Sequence, residues 1–131
     1  MIGIDTNVLV RFLVRDDQEQ FERARRLVRR ETQGGETVLI SLIVLLETEW
    51  VLRSRYGLAK TEILTALSAL LDTVELQFED VQSIEAALYS WENSVAEFAE
   101  CLIDARHHTL GCRTTATFGS KASKLAGFTA V

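Results

Sequence analysis

Residues 1–10, Met1-Ile2-Gly3-Ile4-Asp5-Thr6-Asn7-Val8-Leu9-Val10, place a carboxylate where an apolar strand ought to continue. Met1 to Asp5 reads as a first strand. Thr6-Asn7 and a second apolar run come directly after it. Both Thr and Asn accept hydrogen bonds from main-chain N–H groups, so either is expected to cap a helix running to about Val14. In open parallel sheets, ligands gather beyond the carboxyl ends of strands, where the strand order switches. A central first strand would put Asp5 at such an end. The plainer alternative is that Asp5 caps the next helix.

The rest of the chain repeats this alternation. Gln18–Thr32 carries Phe21, Ala24, Leu27 and Val28 at helical spacing, and Gly34-Gly35 stops it. Glu36–Ile40 reads as a strand, with Ser41 as cap for a helix ending near Tyr56-Gly57. A helix over Thr61–Leu71, a strand over Thr73–Gln77 and helices over Val81–Glu92 and Glu97–Leu110 follow. Gly111 then breaks to a strand over Cys112–Phe118, with a last edge strand at Phe128–Val131. Strands alternating with helices predict an α/β fold with a central parallel sheet and helices on both faces. No linker or repeat is visible, so residues 1–131 are expected to form one domain.

Bulk composition narrows the function classes. The chain has 131 residues, 47% hydrophobic and 25% charged, with a formal net charge of −5. That excludes a generally basic nucleic-acid coat, though not a local basic rim around an acidic pocket. The longest apolar stretch, Val38–Leu46, is far short of the roughly 20 residues of a membrane span. The start lacks the basic-then-apolar order of a secretory signal. Cys101 and Cys112 form no metal or disulfide framework by spacing. A cytoplasmic protein is expected.

Acidic residues are the chemical signal. The next candidate after Asp5 is Glu47, within LLETEWVL; Glu49, two residues on, points to another helix face, and either of the two could be the one turned to solvent. Glu97, Glu100 and Asp104, in EFAECLIDARHH, fall at i, i+3 and i+7 on one stripe, while Phe98, Leu102 and Ala105 mark an apolar one. Like charges at this spacing repel by a few tenths of a kcal/mol per pair. Such a stripe is either freely solvated or neutralised by a cation. Oxygen ligands of this kind suit Mg²⁺ or Mn²⁺. Such an ion lowers the pKa of a bound water and stabilises the leaving oxygen of a phosphodiester.

These stretches resemble a known family. IDTNVLVRFLVRDD (4–17), SLIVLLETEWVLRSRYGL (41–58), EFAECLI (97–103) and GCRTTATFGSKASKL (111–125) are similar to the PIN-domain ribonucleases, and within them to VapC-type toxins of bacterial toxin–antitoxin pairs. The resemblance implies a PIN-like three-layer α/β sandwich and a metal-dependent site for RNA cleavage. Position by position, Asp5 matches the first-strand catalytic aspartate, Thr6 and Asn7 the small polar residues after it, and Glu47 the helix glutamate. Glu100 and Glu97 stand where the family commonly shows aspartates. Asp5, Glu47 and Glu100 would hold Mg²⁺ or Mn²⁺, with Glu97 in support. Gly119 stands where another aspartate is usual, leaving Thr117 and Ser120 to position a water. The resemblance also implies a homodimer that binds a VapB-like antitoxin.

Other readings are weaker. Arg23, Arg25, Arg26, Arg29 and Arg30 crowd one helix, and a solvated face is the simplest account of them. Arg11, Arg15, Arg53 and Arg55 are the better phosphate candidates. Asp104, His108 and Cys112 are spaced at fours, but Gly111 breaks the helix and a fourth zinc ligand is missing. A haloacid-dehalogenase-like phosphatase needs a second Asp where Asn7 stands. A receiver domain needs an acidic pair ahead of the strand-end Asp. The apolar Ile43–Leu46 run and Trp50 are expected mostly in the core, with some excess for a subunit interface. The rival to the ribonuclease is a PIN-like binding module, with a degraded site, acting through an antitoxin-like partner.

Overall fold

Helix caps decide where this chain changes direction. The computed structural model describes residues 1–131, and the chain forms two compact units, Met1–Glu79 and Asp80–Val131. In the first unit, strand β1 is only Ile2–Gly3. Asp5 has an extended backbone, and its Oδ1 accepts from the Val8 N–H at 3.0 Å. Asp5 is therefore the cap of helix α1 (Thr6–Leu13), in place of the expected Thr6 or Asn7. A strand ends where the next residue's side chain begins to serve a helix, which is why β1 is shorter than the apolar run suggests.

The same logic shortens the next strand. β2 (Val38–Ile40) ends at Ser41, whose hydroxyl accepts from the Val44 N–H to start α3 (Leu42–Ser54). Glu79 adds a second acceptor there, taking the Leu42 N–H at 3.0 Å. Between them, α2 (Gln18–Gln33) is capped by Asp17 and ends at Gly34, before Gly35 at φ +84°. Only glycine adopts that left-handed conformation without strain. Helix α4 (Lys60–Leu71) leads to β3 (Leu76–Phe78).

β1, β2 and β3 form a parallel sheet in that order, with Ile2 opposite Val38 and Val38 opposite Leu76. Val38, Ile40, Leu76 and Phe78 are buried, while Leu39 and Gln77 between them are not, so one face of the sheet meets the core. β1 lies at the edge of this sheet and β2 at its centre. The condition under which Asp5 would mark a switch point, a central first strand, is therefore not met in this sheet. Leu9, Val10, Phe21, Ala24, Leu45 and Leu52 complete the core of the unit.

In the second unit, α5 (Val81–Glu92) and α6 (Phe98–Thr109) form an antiparallel hairpin. Trp91 and Phe98 close its end with ring centroids 5.2 Å apart, a tilted geometry that aromatic quadrupoles favour. β4 (Thr115–Thr117) and β5 (Phe128–Ala130) pair in parallel as a separate two-stranded ladder, joined by a short 3₁₀ turn at Ala122–Lys124 that the sequence pattern did not show. The architecture is α/β with parallel strands throughout, as expected, but its hydrogen bonds divide between two sheets. No helix is long and apolar enough to cross a membrane.

Candidate active site

The first unit holds one acidic pair. Asp5 is exposed at the β1–α1 junction even though its Oδ1 serves the cap. Thr6 follows it and is buried at 7% exposure. Its hydroxyl donates to Glu47 Oε1 in a close hydrogen bond. That bond joins the first residue of α1 to the middle of α3, so Glu47 is held beside the residue that follows Asp5. Thr6 is thus more than a spacer. Its only hydroxyl proton fixes one oxygen of Glu47 and leaves the other free.

Glu49 resolves the ambiguity of the ETE triplet. It is buried at 2% exposure, and its Oε2 accepts from Arg53 Nε at 2.9 Å. Glu47 is the exposed member. The helix turns these two carboxylates apart, as their spacing requires. Arg53 thus gives its Nε to Glu49. Arg15 is stacked over the Phe21 ring, 4.2 Å from its centroid. Arg11 Nη1 binds Asp16 at 2.9 Å and the Tyr56 hydroxyl at 3.1 Å. Burial pushes the Asp16 carboxyl up, yet the hydrogen bonds from Arg11 and Tyr56 outweigh it and hold it below the usual range.

The second unit holds the other acidic pair, in different circumstances. Glu97 is the exposed cap residue of α6 and makes no cap bond with its own side chain. Glu100 reaches back, its Oε1 accepting from the Glu97 N–H at 2.9 Å, which is half of a capping box. Its other oxygen lies over Gly119. A Cβ on Gly119 would fall 2.9 Å from Glu100 Oε2 and 3.2 Å from Thr117 Oγ1. Thr117 Oγ1 accepts from the Gly119 N–H at 2.9 Å. The side-chain space missing at Gly119 is thus taken up by the longer Glu100 carboxylate.

Asp104 leaves the acidic stripe. Its Oδ1 accepts from the Thr115 hydroxyl at 2.9 Å, and Thr115 Oγ1 lies 3.0 Å from His107 Nδ1. A Cβ on Gly127 would fall 2.0 Å from Asp104 Oδ2, so any other residue there would require this carboxylate to move. This tie between α6 and the β4–β5 ladder was not legible beforehand, because nothing in the spacing links residues 104, 115 and 127. Asp80 was missed as well, although the order Asp80-x-x-Ser83 is a cap signature. Asp80 Oδ1 accepts from the Ser83 N–H at 3.0 Å, and Oδ2 from the Ser83 hydroxyl at 2.5 Å and Arg106 Nη1 at 2.9 Å. The Ser83 side-chain bond first, and then its main-chain bond and Arg106, hold this carboxyl below the usual range.

No group of three or more His, Cys, Asp and Glu side chains is placed to enclose a metal ion. The imagined Asp104–His108–Cys112 zinc site is accordingly not formed. Mg²⁺ makes a weaker demand, since it keeps several waters and is commonly held by one or two carboxylates plus substrate phosphates. Asp5 and Glu47, both exposed, with Glu47 bonded to the residue after Asp5, are carboxylates of the first unit that could meet that demand. They do not fit an all-protein cage.

Across residues 2–126 the sequence matches the family model of the PIN domain. The chain belongs to the PIN-domain family. Among solved structures it is similar to the Mycobacterium tuberculosis toxin VapC20, described as a Sarcin-Ricin loop cleaving toxin, with 20% identity over 94% of this chain and 93% of that one and a TM-score of 0.42. No curated protein matches significantly. In this PIN domain the exposed strand-end Asp5, the Thr6 hydroxyl and Glu47 make up the acidic group of the first unit, and Glu97, Glu100, Thr117 and Gly119 the group of the second.

Proposed function

We propose that this PIN-family chain is a metal-dependent endoribonuclease, the toxin of a pair with a VapB-like antitoxin, acting in the cytoplasm. The observation that carries the reading is the Thr6–Glu47 hydrogen bond beside the exposed Asp5. Two exposed carboxylates from separate elements, one of them tied to the residue that follows the other, are open to a cation from solvent. Asp5 and Glu47 would hold Mg²⁺ or Mn²⁺ through its waters. When held there, such an ion supplies a water of lowered pKa and a counter-charge for the leaving oxygen. Thr6 keeps Glu47 in one orientation, and Asn7, at the mouth of α1, offers an amide to a phosphate oxygen. The resemblance assigns Glu100 to the metal as well, with Glu97 and Thr117 in support.

The exposed apolar face of α3 supports the homodimer. Ile43 is 79% exposed and Trp50 51% exposed, one heptad apart on the same side of the helix. Both were expected mostly in the core, and the core is filled instead by Leu45 and Leu52. Large apolar side chains left in water in this pattern mark an interface.

A second reading has its own support. Glu100 Oε1 is engaged by main chain and no triple-ligand group exists, as expected of a binding module with a degraded site. One experiment separates the two. Purified protein incubated with mixed RNAs and Mn²⁺ should give discrete fragments, abolished by chelator and by Asp5→Asn. Intact RNA, from protein shown by calorimetry to bind Mn²⁺, would leave the binding module.

A further inference from the structure

We infer that the groove between α1 and α2 is the track on which the RNA backbone is held, with Arg23 as a substrate-positioning residue; this rests on the ribonuclease reading. The groove encloses about 320 Å³, within the range of about 300–1,000 Å³ typical of ligand sites. One wall is Asn7 and Arg11 of α1, and the other is Gln20 and Arg23 of α2. Its floor is apolar, formed by Val8, Ala24 and Leu27. Asn7 belongs both to this groove and to the Asp5-Thr6-Asn7 run, so the track begins two residues from the exposed carboxylate.

The two arginines have different duties. Arg11 is fixed by Asp16 and the Tyr56 hydroxyl through Nη1, which sets a rigid wall and leaves the other donors of its guanidinium. Arg23 is exposed and has no ion-pair partner. On the same helix, Arg25 and Arg29 lie roughly opposite the groove, at two and six positions from Arg23. Of five arginines that read alike in sequence, the helix turns Arg23 into a concave site with amide donors and an apolar floor. Charge neutralised in a groove suits a phosphate, and an apolar floor suits an unpaired base or ribose. In a chain of net charge −5, a local positive wall lowers the repulsion that a polyanion meets.

The test is binding of a labelled single-stranded RNA oligonucleotide in chelator, where no turnover occurs, followed by cleavage kinetics in Mn²⁺. Arg23→Ala should weaken binding about fivefold at 0.1 M salt and reduce the salt slope by about 0.7. Arg25→Ala, the same loss of charge on the other side of α2, should change neither. Gln20→Arg should tighten binding, an outcome that misfolding cannot imitate. In kinetics Arg23→Ala should raise KM and spare kcat. Equal effects of Arg23→Ala and Arg25→Ala, or binding of an acidic peptide in place of the RNA, would overturn the groove assignment. Wild-type protein that binds RNA through Arg23 and never cleaves it would overturn the ribonuclease reading and leave the groove standing.

Discussion

The two acidic pairs of this molecule are held in opposite ways. Asp5 and Glu47 stand 42 positions apart, and Glu47 is hydrogen-bonded to Thr6, the residue after Asp5. Glu97 and Glu100 sit in one turn of α6, and Glu100 is bound to the main chain of its neighbour. Asp5 serves locally as the cap of α1, but the Thr6–Glu47 bond exists only because the unit is folded. The second pair's bond would form in any helix with that sequence, because a reach-back bond satisfies an N–H that otherwise has no partner. A carboxylate that the tertiary structure orients and leaves open is poised for an external ligand. Asp5 and Glu100 each give one oxygen to a main-chain N–H and keep the second.

The largest expected effect tests the first pair. Asp5→Asn should lower RNA cleavage by more than about 100-fold, since it removes a metal-holding charge. Asn caps helices as well as Asp does, so a urea melt should shift by less than about 0.5 kcal/mol. Loss of stability comparable to the loss of rate would mean that Asp5 is a cap and nothing more. Thr6→Val comes next. Without its hydroxyl, Glu47 is free to turn away, and cleavage should fall about 10-fold. If Thr6→Val leaves the rate unchanged, the contrast between the pairs has no chemical content.

The second pair predicts smaller effects, felt in stability. Gly119→Asp brings its Cβ onto Glu100 Oε2 and should cost about 1 kcal/mol by prising Glu100 from the Glu97 N–H. Shortening the neighbour with Glu100→Asp should make that cost disappear in part, and a double-mutant cycle in urea reads the coupling. Strict additivity would show that Glu100 does not occupy the place of a side chain at 119. Restored cleavage in the double variant alone would favour the binding module for the natural chain.

Asp80 supplies the smallest and most pH-dependent effect. Its carboxyl is held below the usual range by Ser83 and Arg106, so it stabilises the fold above the ordinary carboxylate pKa. That stabilisation is lost as pH falls through the depressed value. Asp80→Asn should cost about 0.5–1 kcal/mol near neutrality. The difference from wild type should shrink on acidification below the ordinary carboxylate range. A difference independent of pH would make Asp80 a neutral cap. This carboxylate, held by Ser83 and Arg106 on one helix hairpin, belongs to neither acidic pair.

Local interactions made much of this legible beforehand. Val81–Glu92 has the bounds read from its periodicity, and Ser41 caps the helix it was expected to cap. Strand lengths were overestimated, because apolar runs show where a strand is allowed and caps decide where it ends. Ile43 and Trp50 were drawn to the core by their apolarity, yet α3 turns Leu45 and Leu52 inward instead.

By itself, then, the sequence determined the order of helices and strands, the parallel α/β class and the candidates Asp5, Glu47, Glu97 and Glu100. Periodicity, caps and residue chemistry act over a few positions and can be read along the chain. Only the tertiary structure decided that Glu47 and not Glu49 faces solvent, that Thr6 holds it, that Asp104 turns to Thr115, and that Arg23 alone among its neighbours enters a groove. Each of those facts depends on which residues distant in sequence become adjacent in space, and adjacency of that kind is fixed by packing.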